Sequence, residues 1–373
     1  MPNAITWVGL DAHSKFVTVA MLVPGQSDAV LWQEPYEPAA VRRLARRLKR
    51  EAPGEVRCCY EAGPTGYGLQ RQLAAEGIAC IVVAPSLIPR KPGDRIKTDR
   101  RDAVKLAELH RSGMLTEVCP PSEADEELRD LWRCREDVRE DLHRARHRLG
   151  KFLLRRGRMF RGCKHRWGTR HMAWLRQQRF ESSTAQSTMD SYLLSLEQLD
   201  ERLHQLEVKL GEQAVLEPYR EPVAALRCFR GIDTVSAIGL IAELHTFARF
   251  ESPRRLMAYV GLVPSERSSG GDRRLGGITC AGNRHARRLL IEAAWHQRHR
   301  PVLSVPLQRR REGQPARVIA IADRAQERLH ARWVRMSARG KPHNKVVVAM
   351  ARELVGYLWA ALKSDREVTT HEA

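Results

Sequence analysis

The chain has 373 residues, 43% of them hydrophobic, enough apolar material for two or three cores and too much for a disordered protein. Lysine and arginine number 64 against 44 aspartates and glutamates, a formal charge of +20 that points to a polyanionic partner, nucleic acid first. No apolar run reaches the ~20 residues that span a bilayer, and the start "MPNAITWVGLDAHSK" lacks a signal-peptide layout, so the expected setting is cytoplasmic.

Residues 5–23 read as two β-runs broken at the polar "DAHSK", and 29–34 as a third strand after the Pro-Gly turn at 24–25. Helical periodicity follows over 39–51, then a buried strand over 56–62, a helix over 68–77, a strand over 78–85 and a helix over 97–113. Three strands followed by alternating helix and strand predict a mixed sheet flanked by helices, an α/β domain over 1–118. The eight cysteines contain no C-x-x-C spacing and read as small buried hydrophobes.

The character changes after Pro120–Pro121. Leu128, Leu131, Arg135, Val138, Leu142, Ala145, Leu149 and Phe152 alternate in steps of three and four, the spacing of a coiled-coil seam with one polar interruption. A second seam runs through Met189, Tyr192, Leu196, Leu199, Leu203, Leu206 and Leu210, so 119–222 is expected to form an antiparallel helical hairpin or a dimerising arm. From Arg129 to Arg179 there are 17 Lys+Arg against 5 Asp+Glu. This stretch, which includes Arg155 and Arg156, is expected to contact phosphate backbones. A zinc site from Cys163, His165 and His171 would lack both standard spacing and a fourth ligand.

From 223 to 373 a third unit is expected. "LRCFRGIDTVSAIGLIAEL" (226–244) has the outline of a helix-hairpin-helix turning at Gly231, although Asp233 stands where an anion-binding turn usually has a second glycine. Residues 281–296 read as a basic amphipathic helix carrying Arg284, Arg287 and Arg288, and 344–363 as an apolar closing helix.

Four acids fall where the first domain could gather them. Asp11 ends the first strand, Glu61 ends a central one, and Asp99 and Asp102 share a helix face. Clustered carboxylates repel unless protonated or bound to cations, and hard oxygen ligands suit Mg²⁺, two ions of which can serve phosphoryl transfer. The plainer alternative makes them turn acids, or partners of Arg95, Arg100 and Arg101. Residues 261–277, "GLVPSERSSGGDRRLGG", are on composition alone a flexible basic loop in which Arg267, Arg273 and Arg274 hold phosphate.

The order Asp11, Glu61 and Asp99–Asp102 within "KTDRRDA" resembles the DEDD domain of IS110/IS1111 insertion-sequence transposases. "GIDTVSAIGLIAELHTFARFESPRRLMAYVGLVPSERSSGG" and "GNRHARRLLIEAAW" resemble their C-terminal transposase domain, so the likeness covers nearly the whole chain. It implies an RNase H/RuvC-like α/β N-terminal domain, a long helical coiled-coil middle and a mainly α-helical C-terminal domain. It also implies that the Ser-Gly after G-L-x-P marks the nucleophile, here Ser269, with Ser268 as its neighbour. The implied protein is a DNA transposase that forms a covalent phosphoserine link and holds Mg²⁺ at Asp11, Glu61, Asp99 and Asp102. Its implied partners are donor DNA, target DNA, an element-encoded bridge RNA and further copies of itself in a dimer or tetramer, at the nucleoid. The alternatives are a metal-only RNase H-like nuclease or Holliday-junction resolvase, and a non-catalytic nucleic-acid binder.

Overall fold

The computed structural model describes residues 4–89, 98–162, 166–268, 272 and 274–363, and the chain divides into two compact units, Met1–Pro121 and Ser122–Ala373. The first contains β1 (Ile5–Ala12), β2 (Phe16–Leu22), β3 (Val30–Pro35), α1 (Pro38–Glu51), β4 (Glu55–Glu61), α2 (Gly68–Ala75), β5 (Ala79–Val83), α3 (Asp99–Arg111) and β6 (Glu117–Val118). One six-stranded sheet has the order β3-β2-β1-β4-β5-β6. The β1, β2 and β3 strands pair antiparallel, β1 pairs parallel with β4 and β4 with β5, and β6 returns antiparallel. This is the mixed sheet expected; the short β6 has no signal in the sequence.

Parallel strands joined through helices are covered on both faces, so their sequences are continuously apolar. On one face Val8, Leu10, Cys58, Tyr60 and Val82 meet Leu44 and Leu48 of α1 and Leu69 and Leu73 of α2. On the other, Cys59 and Val83 meet Leu106 of α3. Gly9 sets how closely α3 approaches, because a Cβ there would fall inside van der Waals contact of the Ala103 carbonyl oxygen and the Ala107 nitrogen. A glycine in β1 therefore brings the start of α3 down onto the strand ends.

The second unit contains α4 (Glu123–Leu154), α5 (Thr169–Arg176), α6 (Ser183–Gln213), α7 (Arg220–Arg227), α8 (Thr234–Leu244), α9 (Pro253–Tyr259), β7 (Pro264–Glu266), β8 (Leu275–Ile278), α10 (Arg284–Trp295), α11 (Val305–Arg311), α12 (Ala316–Ala338) and α13 (His343–Leu362). The long helices α4 and α6 run antiparallel, since Arg135 pairs with Glu207, Arg146 with Asp200, and Phe152 with the Tyr192 ring. Away from their base, Leu142, Leu149, Phe152, Met189 and Leu196 pack together with Leu175 of α5. At the base the seam does not continue as a two-helix contact. Leu128, Trp132 and Leu210 instead enter the large core built by α7, α8, α10, α12 and α13. Arg135, the polar interruption, is held between Glu136 and Glu207. Helix α12 is long and amphipathic and was not anticipated.

Two smaller expectations change. Cys58, Cys59, Cys80 and Cys228 are buried, but Cys119, Cys134 and Cys280 are exposed. His171 is a core residue: its Nδ1 accepts from the Trp167 N–H at 2.9 Å and its ring stacks on Trp174, while Cys163 and His165 lie outside the described residues. Among the described residues no helix is long and apolar enough to cross a membrane.

Candidate functional site

Asp11 sits one residue from the end of β1. The parallel register pairs Leu10 with Tyr60, so Asp11 and Glu61 occupy adjacent places at the carboxyl ends of β1 and β4. Leu10 and Tyr60 point into the core under α1 and α2. Strand alternation therefore turns the next residues, Asp11 and Glu61, toward the α3 face. Helix α3 begins on that face. Thr98 caps it by accepting from the Arg101 N–H, and Asp99 and Asp102 occupy its first turn.

Ligand atoms of Asp11, His13 and Asp99 lie within 4.8 Å of one another. The His13 Nε2 is 3.3 Å from an Asp11 carboxylate oxygen and 3.4 Å from one of Asp99. Burial raises the pKa of Asp11, His13 opposes that, and the charges of Asp99 and Asp102 raise it further. The structure thus brings Asp11, Asp99 and Asp102 into one electrostatic neighbourhood. Glu61 is exposed at the next strand end, outside the tight group. His13 was missed from the sequence. The available signal was period-two alternation, which puts residue 13 on the same side as residue 11 if the strand direction persists. Two carboxylates, Asp99 and Asp102, beside the half-buried, repelled Asp11 form a donor set that fits a hard divalent cation, and His13 adds one nitrogen.

In the second unit, β7 and β8 pair antiparallel and enclose the serine-rich segment. The Arg267 N–H donates to the Arg274 carbonyl at 2.9 Å, closing its neck. The Ser268 hydroxyl donates to Glu266 Oε1 at 2.8 Å and accepts from the Arg274 N–H at 3.3 Å. Ser269 and Arg273 lie outside the described residues. Gly261 opens the stretch at φ +66°, where a side chain would be strained.

The basic residues divide. Arg287 donates through Nη1 to the carbonyls of Val260 and Ala281, and Arg288 pairs with Glu292 and Glu136. Both hold the fold as they stand. Arg156 lies 3.9 Å over the Phe152 ring, whereas Arg155 and Arg284 are exposed. Asp233 caps α8 by accepting from the Ser236 N–H at 2.9 Å, which accounts for an acid at the Gly231 turn. The start of α10 is tied to the end of α8 by Asn283, whose amide donates to Glu243 Oε2 at 2.6 Å. Arg133 donates to both oxygens of the same buried carboxylate at 2.8 and 2.9 Å.

Comparison with known proteins bears on both units. Residues 8–156 match a family model of DEDD type described as a transposase, and residues 223–305 match the model described as "Transposase IS116/IS110/IS902 family". The chain is 40% identical over 366 residues to y4qE of Sinorhizobium fredii, which carries a transposase name, covering 98% of this chain and 90% of that one. It is 36% identical over 343 residues to the transposase for insertion sequence element IS1533 of Leptospira borgpetersenii, covering 90% of this chain and 97% of that one. The mixed sheet of the first unit is consistent with an RNase H-like DEDD fold. Acids at the carboxyl ends of two central strands, a helical second unit and full-length relatives converge: the chain belongs to the IS116/IS110/IS902 family of transposases, enzymes that cut and rejoin DNA.

Proposed function

We propose that this protein moves an insertion element by a two-centre reaction in which the serine segment forms the covalent bond and the carboxylates serve a divalent metal. The observation that carries the reading is the meeting of Asp11 and Asp99 within 4.8 Å, with Asp102 close enough to act on Asp11. Asp11, Glu61, Asp99 and Asp102 would hold Mg²⁺, with two ions suiting four carboxylates. A divalent metal held there would supply charge stabilisation for phosphoryl transfer. Asp11 and Asp99 would bind the cation, and His13 would orient the Asp11 carboxylate.

The Ser269 hydroxyl oxygen attacks a DNA phosphorus and gives up its proton, the phosphorus–oxygen bond to the leaving strand breaks, and the departing oxygen takes up one proton in exchange. The phosphodiester energy is kept in the serine–phosphate bond, so a strand hydroxyl can reverse the step and reseal without ATP. Arg267, Arg273 and Arg274 neutralise the phosphate during attack. An element-encoded bridge RNA selects donor and target by base pairing, and the protein grips backbones through Arg155, Arg156, Arg284 and their neighbours. Support for that division is the excess of 17 Lys+Arg over 5 Asp+Glu between 129 and 179. The α4–α6 hairpin serves as an arm in a dimer or tetramer, since two duplexes need several active sites.

The test is to incubate the protein with Mg²⁺, the RNA flanking its gene, and labelled donor and target DNA, and to look for an SDS-resistant protein–DNA adduct. Ser269→Ala is expected to abolish it. An adduct of undiminished yield in that variant sinks the serine assignment, and cleavage with no adduct in the wild type replaces it with a metal-only nuclease.

A further inference from the structure

Between α9, the β7–β8 hairpin, α12 and α13 the second unit holds a cavity of about 850 Å³, within the range of ligand pockets. Its apolar lining includes Met257, Leu262, Ile278 and Val348. Arg254, Lys345 and Arg352 stand on its rim. The acid among its lining residues, Glu353, already accepts from Arg328 and Arg332, so the charge presented to a ligand is positive. One wall is the backbone of β8 at Gly276 and Gly277. A Cβ built on Gly277 meets nothing within 4 Å, so bare peptide faces open space there.

The bare peptide at Gly277 and the apolar lining suit a planar ring, and a cationic rim suits the phosphates on either side of it. We propose that this cavity receives one unstacked nucleotide of the DNA strand beside the scissile phosphate. The base lies against Met257 and Val348 with its face toward Gly277, and the flanking phosphates meet Arg254, Lys345 and Arg352. The proposal rests on the serine reading above, because β8 is the strand paired with β7, from which the chain runs into the Ser269 segment. Extruding a base from a duplex costs a few kcal/mol, so the site favours strands already unpaired. Strand exchange supplies such strands.

The test uses the full chain without divalent metal, so that binding is read separately from adduct formation at Ser269. Fluorescence anisotropy compares a short oligo-dT strand with an all-abasic DNA strand of the same length and charge. Wild type is expected to bind oligo-dT about tenfold more tightly, the scale of one well-packed base. Gly277→Trp, which fills open space, is expected to bring oligo-dT down to the abasic level while leaving the abasic strand's affinity unchanged. Arg352→Gln, at an exposed position, is expected to weaken both strands alike. Equal wild-type affinity for the two strands overturns the proposal. So does a folded Gly277→Trp protein that binds oligo-dT like wild type, or an RNA strand of oligo-U that binds more tightly than the DNA. Absence of any adduct from the wild-type protein with Mg²⁺, with base discrimination retained, removes the serine reading and leaves the cavity assignment standing.

Discussion

The two units treat buried acid in opposite ways. The second unit buries Glu136 and Glu243 almost completely and surrounds each with guanidinium: Arg135, Arg139 and Arg288 around the first, Arg133 with the Asn283 amide around the second. The first unit half-buries Asp11 and gives it two more carboxylates and one imidazole. Acids that hold a fold are neutralised within the chain. Acids kept near each other at a strand end carry repulsion that His13 offsets only in part, and on the reading proposed above a divalent cation would offset the rest. That contrast separates structural carboxylates from the candidate metal ligands more sharply than burial alone.

The largest expected effect that breaks the comparison is on stability in the second unit. Glu136→Ala leaves Arg135, Arg139 and Arg288 crowded around a missing counter-charge. Removing one partner of a buried ionic cluster costs about 3–5 kcal/mol, so urea unfolding should show a loss of that size. A change below about 1 kcal/mol would mean the cluster is solvated and that Glu136 has no structural role of the kind described.

Asp11→Asn should behave in the reverse way. Removing a repelled charge is expected to leave the metal-free protein within about 0.5 kcal/mol of wild type, as for a substitution outside the recognised destabilising mechanisms. Mg²⁺-dependent strand cleavage should fall by about 100-fold or more, the effect of losing a few kcal/mol of metal-borne charge stabilisation. Undiminished cleavage would remove Asp11 from the site. A large loss of stability would move it into the class of Glu136.

How much of this was legible in the sequence follows from how local each signal is. The sheet could be read because the runs at 5–12, 16–22 and 55–61 are β-rich and bounded by turn residues, and Asp11 and Glu61 could be read as strand-end acids. That Asp99 and Asp102 reach Asp11 depends on Gly9 letting α3 settle on β1, a tertiary contact that leaves only a glycine in the sequence. His13 was passed over because it lies just past the end of β1, where alternation predicts direction only if the strand direction persists. Arg287 and Arg288 read from the sequence as nucleic-acid contacts, since charge is visible there and the partners it meets within the fold are not. Val260, Ala281, Glu292 and Glu136, which they bind, come together only in the folded unit. The heptad pattern foretold the α4–α6 pairing. It could not show that Leu128 and Leu210 leave the seam for a larger core.

The smallest expected effect concerns pH, and there the two kinds of acid differ in sign. Burial disfavours the charged form of Glu243, but hydrogen bonds from Arg133 and Asn283 outweigh it and hold the carboxyl below its ordinary 4.5. Its stabilising contribution is present above pH 4.5 and is lost as the pH falls through its depressed native value. For Asp11, burial and the charges of Asp99 and Asp102 raise the native value above 3.8, so its contribution is present below pH 3.8 and is lost as the pH rises through that raised value. Thermal unfolding from acid to neutral pH should therefore show Glu243→Gln losing part of the wild-type gain in stability with rising pH. Asp11→Asn should show the opposite departure, a steeper gain, because a contribution that falls with pH has been removed. Parallel departures in the two variants would show that the acids share one kind of environment, and the distinction between structural and metal-binding carboxylates would then have to rest on activity alone.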